Sequence, residues 1–152
     1  MYILDSDVLG FYLNHPDSYP HLCKKIDDAD AKELLCTSIV TVEEIIAGRL
    51  AYLRSAPVQK SNNLLQAYKY LLDFIVDIKK FLILPFDKTA YEIFQTIPRN
   101  VREGAVNDCR IAAIAFSRNY TVITNNAKDF ERIKAAISVK VEYWVTAPLS
   151  AP

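Results

Sequence analysis

The sequence has 152 residues, of which 51% are hydrophobic and 24% charged. These proportions are ordinary for a globular protein with one hydrophobic core. Lysine plus arginine and aspartate plus glutamate both number 18, so the net charge does not indicate a nucleic-acid partner. If several acids were gathered in one metal site, however, the remaining surface would carry an equal excess of positive charge.

The cysteines predict a reducing compartment. Cys23, Cys36 and Cys109 include no C-x-x-C pair, and an odd number argues against a disulfide framework or a zinc ribbon. Asp5 follows the start too closely for the hydrophobic region of a secretory signal, and no apolar run approaches membrane-spanning length. We therefore expect a cytoplasmic protein with no membrane partner.

Five short, nearly continuous apolar runs predict strands that are buried on both faces of a parallel sheet. Helical patterns separate these runs, and this alternation predicts an α/β domain with helices on both faces of the sheet. No repeat or domain linker is present, so residues 1–152 are expected to form a single domain. The predicted strands lie at roughly 2–5, 34–38, 81–86, 121–124 and 139–143.

The connection between the second and third predicted strands is unusually long. It contains two helical patterns joined by "RSAPVQKSNN", which predicts a turn between antiparallel helices. We therefore expect a helical hairpin at about 48–80 that projects from the domain and carries an interface. The alternative is that its apolar stripe packs on its own domain. That stripe consists of Leu64, Tyr68, Leu71, Ile75 and Ile78.

Acids follow the first two predicted strands. Asp5 ends the first strand, and Glu44 stands three residues after Thr41. The second spacing is typical of a capping box in which Thr41 is the N-cap. Capping alone therefore explains Glu44. Asp5 is harder to explain, because an acid at the end of a buried strand loses hydration.

Two further acids stand at predicted helix starts on either side of the fourth strand. Asp108 follows a possible N-cap at Asn107, and Asp129 stands three residues after one at Asn126. Since an acid in the first turn of a helix favours the helix dipole, capping again explains each of them taken alone.

Taken together, the four acids favour a metal site. The carboxyl ends of parallel strands share one edge, and ligands bind in the crevice there. Ionised carboxylates that meet repel one another unless a cation compensates them. Oxygen ligands without imidazole or thiolate select Mg²⁺ or Mn²⁺, and such an ion polarises a phosphodiester and lowers the pKa of an attacking water.

Four segments, in this order, resemble the PIN-domain ribonucleases, and most closely the VapC-type toxins of toxin–antitoxin pairs. "YILDSDVL" is similar to the family's opening strand with its first metal-binding acid, and "SIVTVEEIIAG" is similar to its T-x-x-E-[LI]-x-x-G helix. "NDCRIAAIA" resembles the D-x-x-I-A-A segment, and "VITNNAKDFERI" resembles the T-x-N-x-x-[DE]-F-x-x-[IV] segment. Finally, "VEYW" looks like the closing strand.

The resemblance implies a PIN-like three-layer sandwich with a central, mainly parallel five-stranded sheet. It implies a Mg²⁺- or Mn²⁺-dependent endoribonuclease that is a homodimer and is inhibited by a small antitoxin protein. By the same resemblance, Asp5, Glu44 and Asp108 hold the ion, and Asp129 completes its shell directly or through water.

Three more residues are candidates for this shell. Asp7 stands where the family commonly has asparagine, so it either joins the shell or caps the first helix. The family places its fourth acid two or five residues after the threonine of strand four, and these positions are Asn126 and Asp129 here. Thr124 either orients a metal-bound water or a phosphate, or simply ends its strand.

A nuclease also needs cationic groups beside its acidic pocket. Arg99 and Arg102 precede Asp108, and Lys128 adjoins Asp129. We expect these three side chains to contact RNA, although solvated helix faces explain them equally well.

Two other functions fit parts of the sequence. "ILDSDVL" resembles the D-x-D-x-[TV] motif of haloacid-dehalogenase-like phosphatases, in which Asp5 would be the nucleophile and Asp7 the general acid/base. That family's later acidic pair is missing after strand four. A PIN-like module that binds RNA or protein without catalysis is the other alternative, and the retained acids argue against it.

Overall fold

Five short strands form one parallel sheet in the computed structural model, which describes residues 1–60 and 63–146. Their order is β3-β2-β1-β4-β5, and every neighbouring pair is parallel. The predicted parallel sheet is therefore confirmed, with β1 at its centre. Burial of every strand on both faces is wrong for the edge strands: Leu82 of β3 is 55% exposed, and Lys140 and Glu142 of β5 are exposed, because an edge strand has a neighbour on one side only. The strands are β1 (Tyr2–Leu4), β2 (Leu35–Ser38), β3 (Leu82–Leu84), β4 (Thr121–Ile123) and β5 (Lys140–Glu142).

Helices connect the strands, as the alternating pattern predicts. None of the helices in the two described ranges is long and apolar enough to span a membrane. Single turns of 3-10 helix occupy Pro16–Ser18 and Ile78–Lys80. The α-helices are α1 (Ser6–Asn14), α2 (Pro20–Asp30), α3 (Ile39–Arg54), α4 (Ala56–Gln59), α5 (Leu64–Asp77), α6 (Lys88–Thr96), α7 (Arg99–Arg102), α8 (Val106–Ser117) and α9 (Ala127–Ile137).

The sheet separates two hydrophobic cores. Successive side chains of a strand point to opposite faces, so Ile3 and Leu4 of β1 lie in different cores. Ile3 packs with side chains of α6, α8 and α9, including Ile114 of α8. Leu4 packs with side chains of α1, α2 and α5, including Leu22 and Phe74. The predicted three-layer sandwich with helices on both faces is confirmed.

The long connection between β2 and β3 contains α3, α4 and α5, with α3 packed against α5. Leu53, Val58 and Ala67 form a small buried cluster of their own within it. The predicted turn at 54–63 contains α4, and residues 61–62 of that turn lie outside the described residues.

The apolar stripe along α5 does not pack fully on its own domain, so that alternative is wrong at two positions. Tyr68 is 56% exposed and Ile75 is 42% exposed, whereas Ala67 and Phe74 are buried. The buried face of α5 lies one residue away from the stripe and includes Ala67, which clusters with Leu53 of α3. Large apolar side chains of α5 therefore remain on the surface.

Candidate functional site

Asp5 lies at the carboxyl edge of the sheet, directly after β1. It is 2% exposed, and its backbone N–H donates to the Ile123 carbonyl at 3.0 Å. Its Oδ1 accepts a 2.8 Å hydrogen bond from the Ser6 backbone N–H. Burial raises the pKa of Asp5 to about 7, and the nearby acids Asp7 and Asp108 add to the rise. The ionised form of Asp5 is therefore unfavourable without a cationic partner.

Thr124, the first residue after β4, orients Asp5. Its buried hydroxyl donates a 2.7 Å hydrogen bond to Asp5 Oδ2 and accepts a 3.0 Å bond from the Asn126 backbone N–H. The hydroxyl favours the carboxylate and so opposes the effect of burial on the pKa of Asp5. Thr124 therefore holds one oxygen of the first acid in place. Its predicted contact with a water or a phosphate remains a prediction.

Glu44 lies in the second turn of α3, because this helix begins earlier than the capping box predicts. The N-cap is Ser38, whose Oγ accepts a 3.0 Å hydrogen bond from the Thr41 backbone N–H. Thr41 is buried inside the first turn, so the N-cap predicted at Thr41 is wrong. The physical reason is that β2 passes into α3 without a loop. The last residue of the strand already has the extended backbone that an N-cap needs.

Asp108 lies in the first turn of α8, but Asn107 does not cap this helix. The N-cap position is Ala105, which makes no side-chain cap, so the N-cap predicted at Asn107 is wrong. The helix starts two residues sooner than the cap-type residue suggests. Asn107 instead donates from its amide to Glu43 Oε2 at 3.5 Å, and this contact links α8 to α3.

The acids lie within electrostatic range of one another. Burial raises the pKa of Asp108 to about 6, and Glu44, Asp129 and Asp7 add to the rise in that order. Burial also raises the pKa of Asp7, with a smaller contribution from Glu44. Acids from four separate elements therefore share one region at the carboxyl edge of the sheet.

Asn126 caps α9, as predicted, and its side chain also connects two acids. Its Oδ1 accepts a 3.3 Å hydrogen bond from the Asp129 backbone N–H. Its Nδ2 donates to Asp108 Oδ2 and to Asp129 Oδ2, both at 3.0 Å. One neutral amide therefore bridges acids that are carried by α8 and α9.

Asp7 does not cap the first helix, because Asp5 occupies the N-cap position of α1. Asp7 lies in the first turn, where its Oδ1 accepts a 2.6 Å hydrogen bond from the Val8 backbone N–H. Its Oδ2 accepts a 3.1 Å bond from the backbone N–H of Asn125. Asp7 thus fixes the segment between β4 and α9 beside the other acids.

The donor groups at this edge fit a hard divalent cation. They are carboxylate and amide oxygens, the ligands that Mg²⁺ and Mn²⁺ prefer, and burial and neighbouring acids raise the pKa of both Asp5 and Asp108. Within residues 1–60 and 63–146, however, no three His, Cys, Asp or Glu side chains are already arranged to hold a metal ion.

The three cations predicted to contact RNA differ in their surroundings. Arg99 is exposed and forms a 2.6 Å ion pair with Glu103. Arg102 is half-buried, with its guanidinium carbon 5.2 Å from the centroid of the Phe94 ring. Lys128 is exposed in the first turn of α9. RNA binding by these three side chains stays a prediction.

Sequence reasoning missed two arginines beside the acids. Arg132 donates to Asp129 Oδ1 at 3.5 Å, and Arg110 donates to Asn107 Oδ1 at 2.7 Å. Each arginine follows its partner by three residues on one helix, and side chains at this spacing are neighbours on a helix surface. This spacing is visible in the sequence and could have indicated both contacts.

Several known proteins are similar to this chain in sequence and in fold. The PIN domain family model matches residues 2–136. Ribonuclease VapC2 of Rickettsia felis is 26% identical over 149 residues, which cover 95% of this chain and 98% of that protein.

Two crystal structures have a similar fold. The structure of FitAcB from Neisseria gonorrhoeae has a TM-score of 0.69 at 24% identity, covering 93% of this chain and 96% of that one. The structure of VapBC2 from Rickettsia felis, bound to a DNA fragment from their promoter, has a TM-score of 0.66 at 23% identity. That match covers 94% of this chain and 98% of that one. At these identities, the likeness establishes the fold.

Proposed function

Because the chain belongs to the PIN-domain family, we propose that it is a metal-dependent endoribonuclease and the toxin of a type II toxin–antitoxin pair. The likeness to a protein named Ribonuclease VapC2 supports ribonuclease activity. The observation that carries the proposal is the hydrogen-bonded group of acids at the carboxyl edge of the sheet. In this group, Thr124 holds Asp5, and Asn126 bridges Asp108 and Asp129.

Asp5, Glu44 and Asp108 would hold Mg²⁺ or Mn²⁺, with Asp129 joining directly or through water. The oxygen donors of all four residues and the raised pKa values of Asp5 and Asp108 support this assignment. When bound, a divalent cation polarises the phosphodiester and lowers the pKa of the attacking water. Asp7 lies close enough to Glu44 and Asp108 to add negative charge to the same region.

The protein's own residues orient the acids. The Thr124 hydroxyl fixes Asp5 Oδ2, which leaves the carboxylate little freedom to rotate. Asn126 fixes one oxygen of Asp108 and one of Asp129 with a single amide. Such support from neighbouring groups is what keeps metal-binding side chains in position. We therefore assign Thr124 and Asn126 to orienting the acids.

We further propose that the protein forms a homodimer and binds a small antitoxin protein in the cytoplasm. The resemblance to VapC-type toxins and the likeness to the VapBC2 structure support such a partner. Leu65, Leu72 and Val76 of α5 are 81%, 60% and 53% exposed, and grouped exposed apolar side chains mark interaction surfaces. This supports an interface on the helical hairpin at about 48–80. Light scattering of the protein alone and with its antitoxin tests both assemblies.

A cleavage assay on total RNA tests the enzymatic proposal. We expect cleavage with Mg²⁺ or Mn²⁺, none with a chelator, and none with Asp108→Asn in either ion. Intact RNA in every reaction of the parent protein would contradict the proposal. Phosphatase activity that is lost in Asp5→Asn would then support the dehalogenase-like alternative. Metal-independent RNA binding without cleavage would support the binding module.

A further inference from the structure

An open cavity of about 490 Å³ lies beside the acids, and one cationic side chain, Arg110, lines it. Glu44 and Asp108 line it on the acidic side, and Arg110 lines it together with Asn107 and residues 104–106 at the start of α8. Its volume lies within the range of small-molecule sites, about 300–1,000 Å³. It therefore has room for part of a nucleotide next to the proposed metal ligands.

The Arg110 guanidinium is held by neutral groups. It donates a 2.7 Å hydrogen bond to the Asn107 carboxamide oxygen, and its guanidinium carbon lies 5.8 Å from the centroid of the Phe94 ring. No ion pair among residues 1–60 and 63–146 includes Arg110. Its position is thus fixed by neutral groups, and no carboxylate in the described residues is within ion-pair distance of it.

A second guanidinium lies near the same ring. The Arg102 guanidinium carbon is 5.2 Å from the Phe94 centroid, and its Nη1 donates to Gln95 Oε1 at 3.3 Å. Its Nε is buried, and no group in the described part of the chain accepts a hydrogen bond from it. Two guanidinium groups near one ring with neutral partners repel each other, and a bound anion would relieve that repulsion.

The other arginines near the acids are already neutralised. Arg99 pairs with Glu103 at 2.6 Å, and Arg132 pairs with Asp129 at 3.5 Å. A carboxylate partner must be displaced before such an arginine can bind another anion. Arg110 and Arg102 have no carboxylate partner among the described residues, so they can bind an anion without displacing one.

We propose that Arg110, assisted by Arg102, binds a backbone phosphate of the RNA substrate next to the bond that is cleaved. The inference rests on the proposed ribonuclease function and extends it to the substrate. Acids at the reaction centre repel a polyanion, so a neighbouring cation is needed to bring it close. A guanidinium suits this task because its parallel N–H groups match two phosphate oxygens. Arg110 is thus a substrate-positioning residue.

The test compares Arg110→Gln, Arg110→Lys and the control Lys88→Ala. Glutamine retains an amide that can reach Asn107 but carries no charge, and lysine restores the charge. Lys88 lies on α6, is exposed, and forms a long 3.8 Å ion pair with Glu92. Lys88→Ala therefore also removes one positive charge, but from a position that does not line the cavity. Thermal unfolding of each variant first establishes that the fold is retained.

RNA binding and cleavage are then measured separately. Binding of a fluorescent single-stranded RNA is followed by anisotropy in the Asp5→Asn background, in which cleavage is blocked. We expect Arg110→Gln to raise Kd and KM by roughly tenfold, as for loss of a charge-assisted hydrogen bond, with kcat unchanged. The logarithm of the RNA association constant falls linearly with the logarithm of the salt concentration, and the magnitude of this slope should decrease by about 0.7 in Arg110→Gln. Arg110→Lys should recover part of the loss, and Arg102→Gln added to Arg110→Gln should weaken binding further.

Two results would overturn the inference in distinguishable ways. If the parent cleaves RNA and Arg110→Gln matches Lys88→Ala in Kd, KM and salt slope, the phosphate contact is wrong and the ribonuclease proposal stands. If the parent neither binds nor cleaves RNA with Mg²⁺ or Mn²⁺, the ribonuclease proposal fails and the inference fails with it.

Discussion

The hydroxyl of Thr124 donates a 2.7 Å hydrogen bond to Asp5 Oδ2 across 119 positions of the sequence. The two residues follow neighbouring parallel strands, β4 and β1, and both are almost completely buried. This contact therefore fixes the first acid of the site through the register of the sheet.

Thr124→Val tests the contact, because valine keeps the shape of threonine and removes its hydroxyl. Asp5 Oδ2 then loses its buried donor, so we expect the free energy of unfolding to fall by about 1–3 kcal/mol and RNA cleavage to decrease. Urea unfolding and a cleavage assay measure the two effects. Thr124→Ser keeps the hydroxyl and should resemble the parent, and equal cleavage by the valine and serine variants would contradict the assigned role.

Asp108→Asn should abolish cleavage without destabilising the metal-free protein. Burial and the neighbouring acids raise the pKa of Asp108 to about 6, so at pH 7 its ionised form opposes folding and asparagine removes that charge. We expect a urea midpoint in chelator that equals or exceeds that of the parent.

Asp87→Asn is a control for which we expect the opposite change in stability. The Ala90 backbone N–H and the Arg118 guanidinium lower the pKa of Asp87, so its ionised form favours folding and its neutralisation should lower the urea midpoint. A lower midpoint for Asp108→Asn as well would show that the acids at the site are not electrostatically strained.

Mg²⁺ or Mn²⁺ should stabilise the parent protein. A ligand that binds only the folded state at 100 times its Kd adds about 2.7 kcal/mol, so the melting temperature should rise with cation concentration and fall again with chelator. Differential scanning fluorimetry at constant ionic strength separates this effect from salt screening. The rise should be lost in Asp108→Asn, and an equal rise in both proteins would point to a cation site elsewhere.

Asn126→Asp should make folding more dependent on the cation. Aspartate still caps α9 but replaces the amide that donates to Asp108 and Asp129 with another negative charge. In chelator we expect a lower melting temperature than that of the parent, and with Mg²⁺ a larger rise. Asn125→Asp adds the same charge at the exposed neighbouring position, and identical behaviour of the two variants would contradict the bridging role of Asn126.

Ser38→Ala should destabilise the protein, because Ser38 caps α3 from the end of β2. The expected loss is about 1 kcal/mol in the free energy of unfolding, measured by urea titration. Ser55 also occupies an N-cap position, that of α4, but makes no side-chain cap. Its hydroxyl donates only an exposed 2.7 Å hydrogen bond to the Tyr52 carbonyl, so Ser55→Ala should lower the free energy of unfolding by less. Equal losses would show that the Ser38 cap contributes little.

The sequence by itself determined the strands and their parallel arrangement. A strand that is covered on both faces needs apolar side chains at nearly every position, and such short runs as Leu35–Ser38 are visible without a structure. It also determined that Asp5 ends a buried strand and that Asn126 caps a helix, because these features depend on residues close in the chain. The family resemblance rested on the same local segments.

The tertiary structure alone decided which residues end up in contact. Caps at Thr41 and Asn107 were predicted wrongly because the start of a helix depends on how the preceding segment packs as well as on residue type. The bridge from Asn126 to Asp108 and the two guanidiniums near Phe94 bring different elements together. Such contacts follow from the relative positions of packed elements, and a local sequence pattern carries no information about those positions.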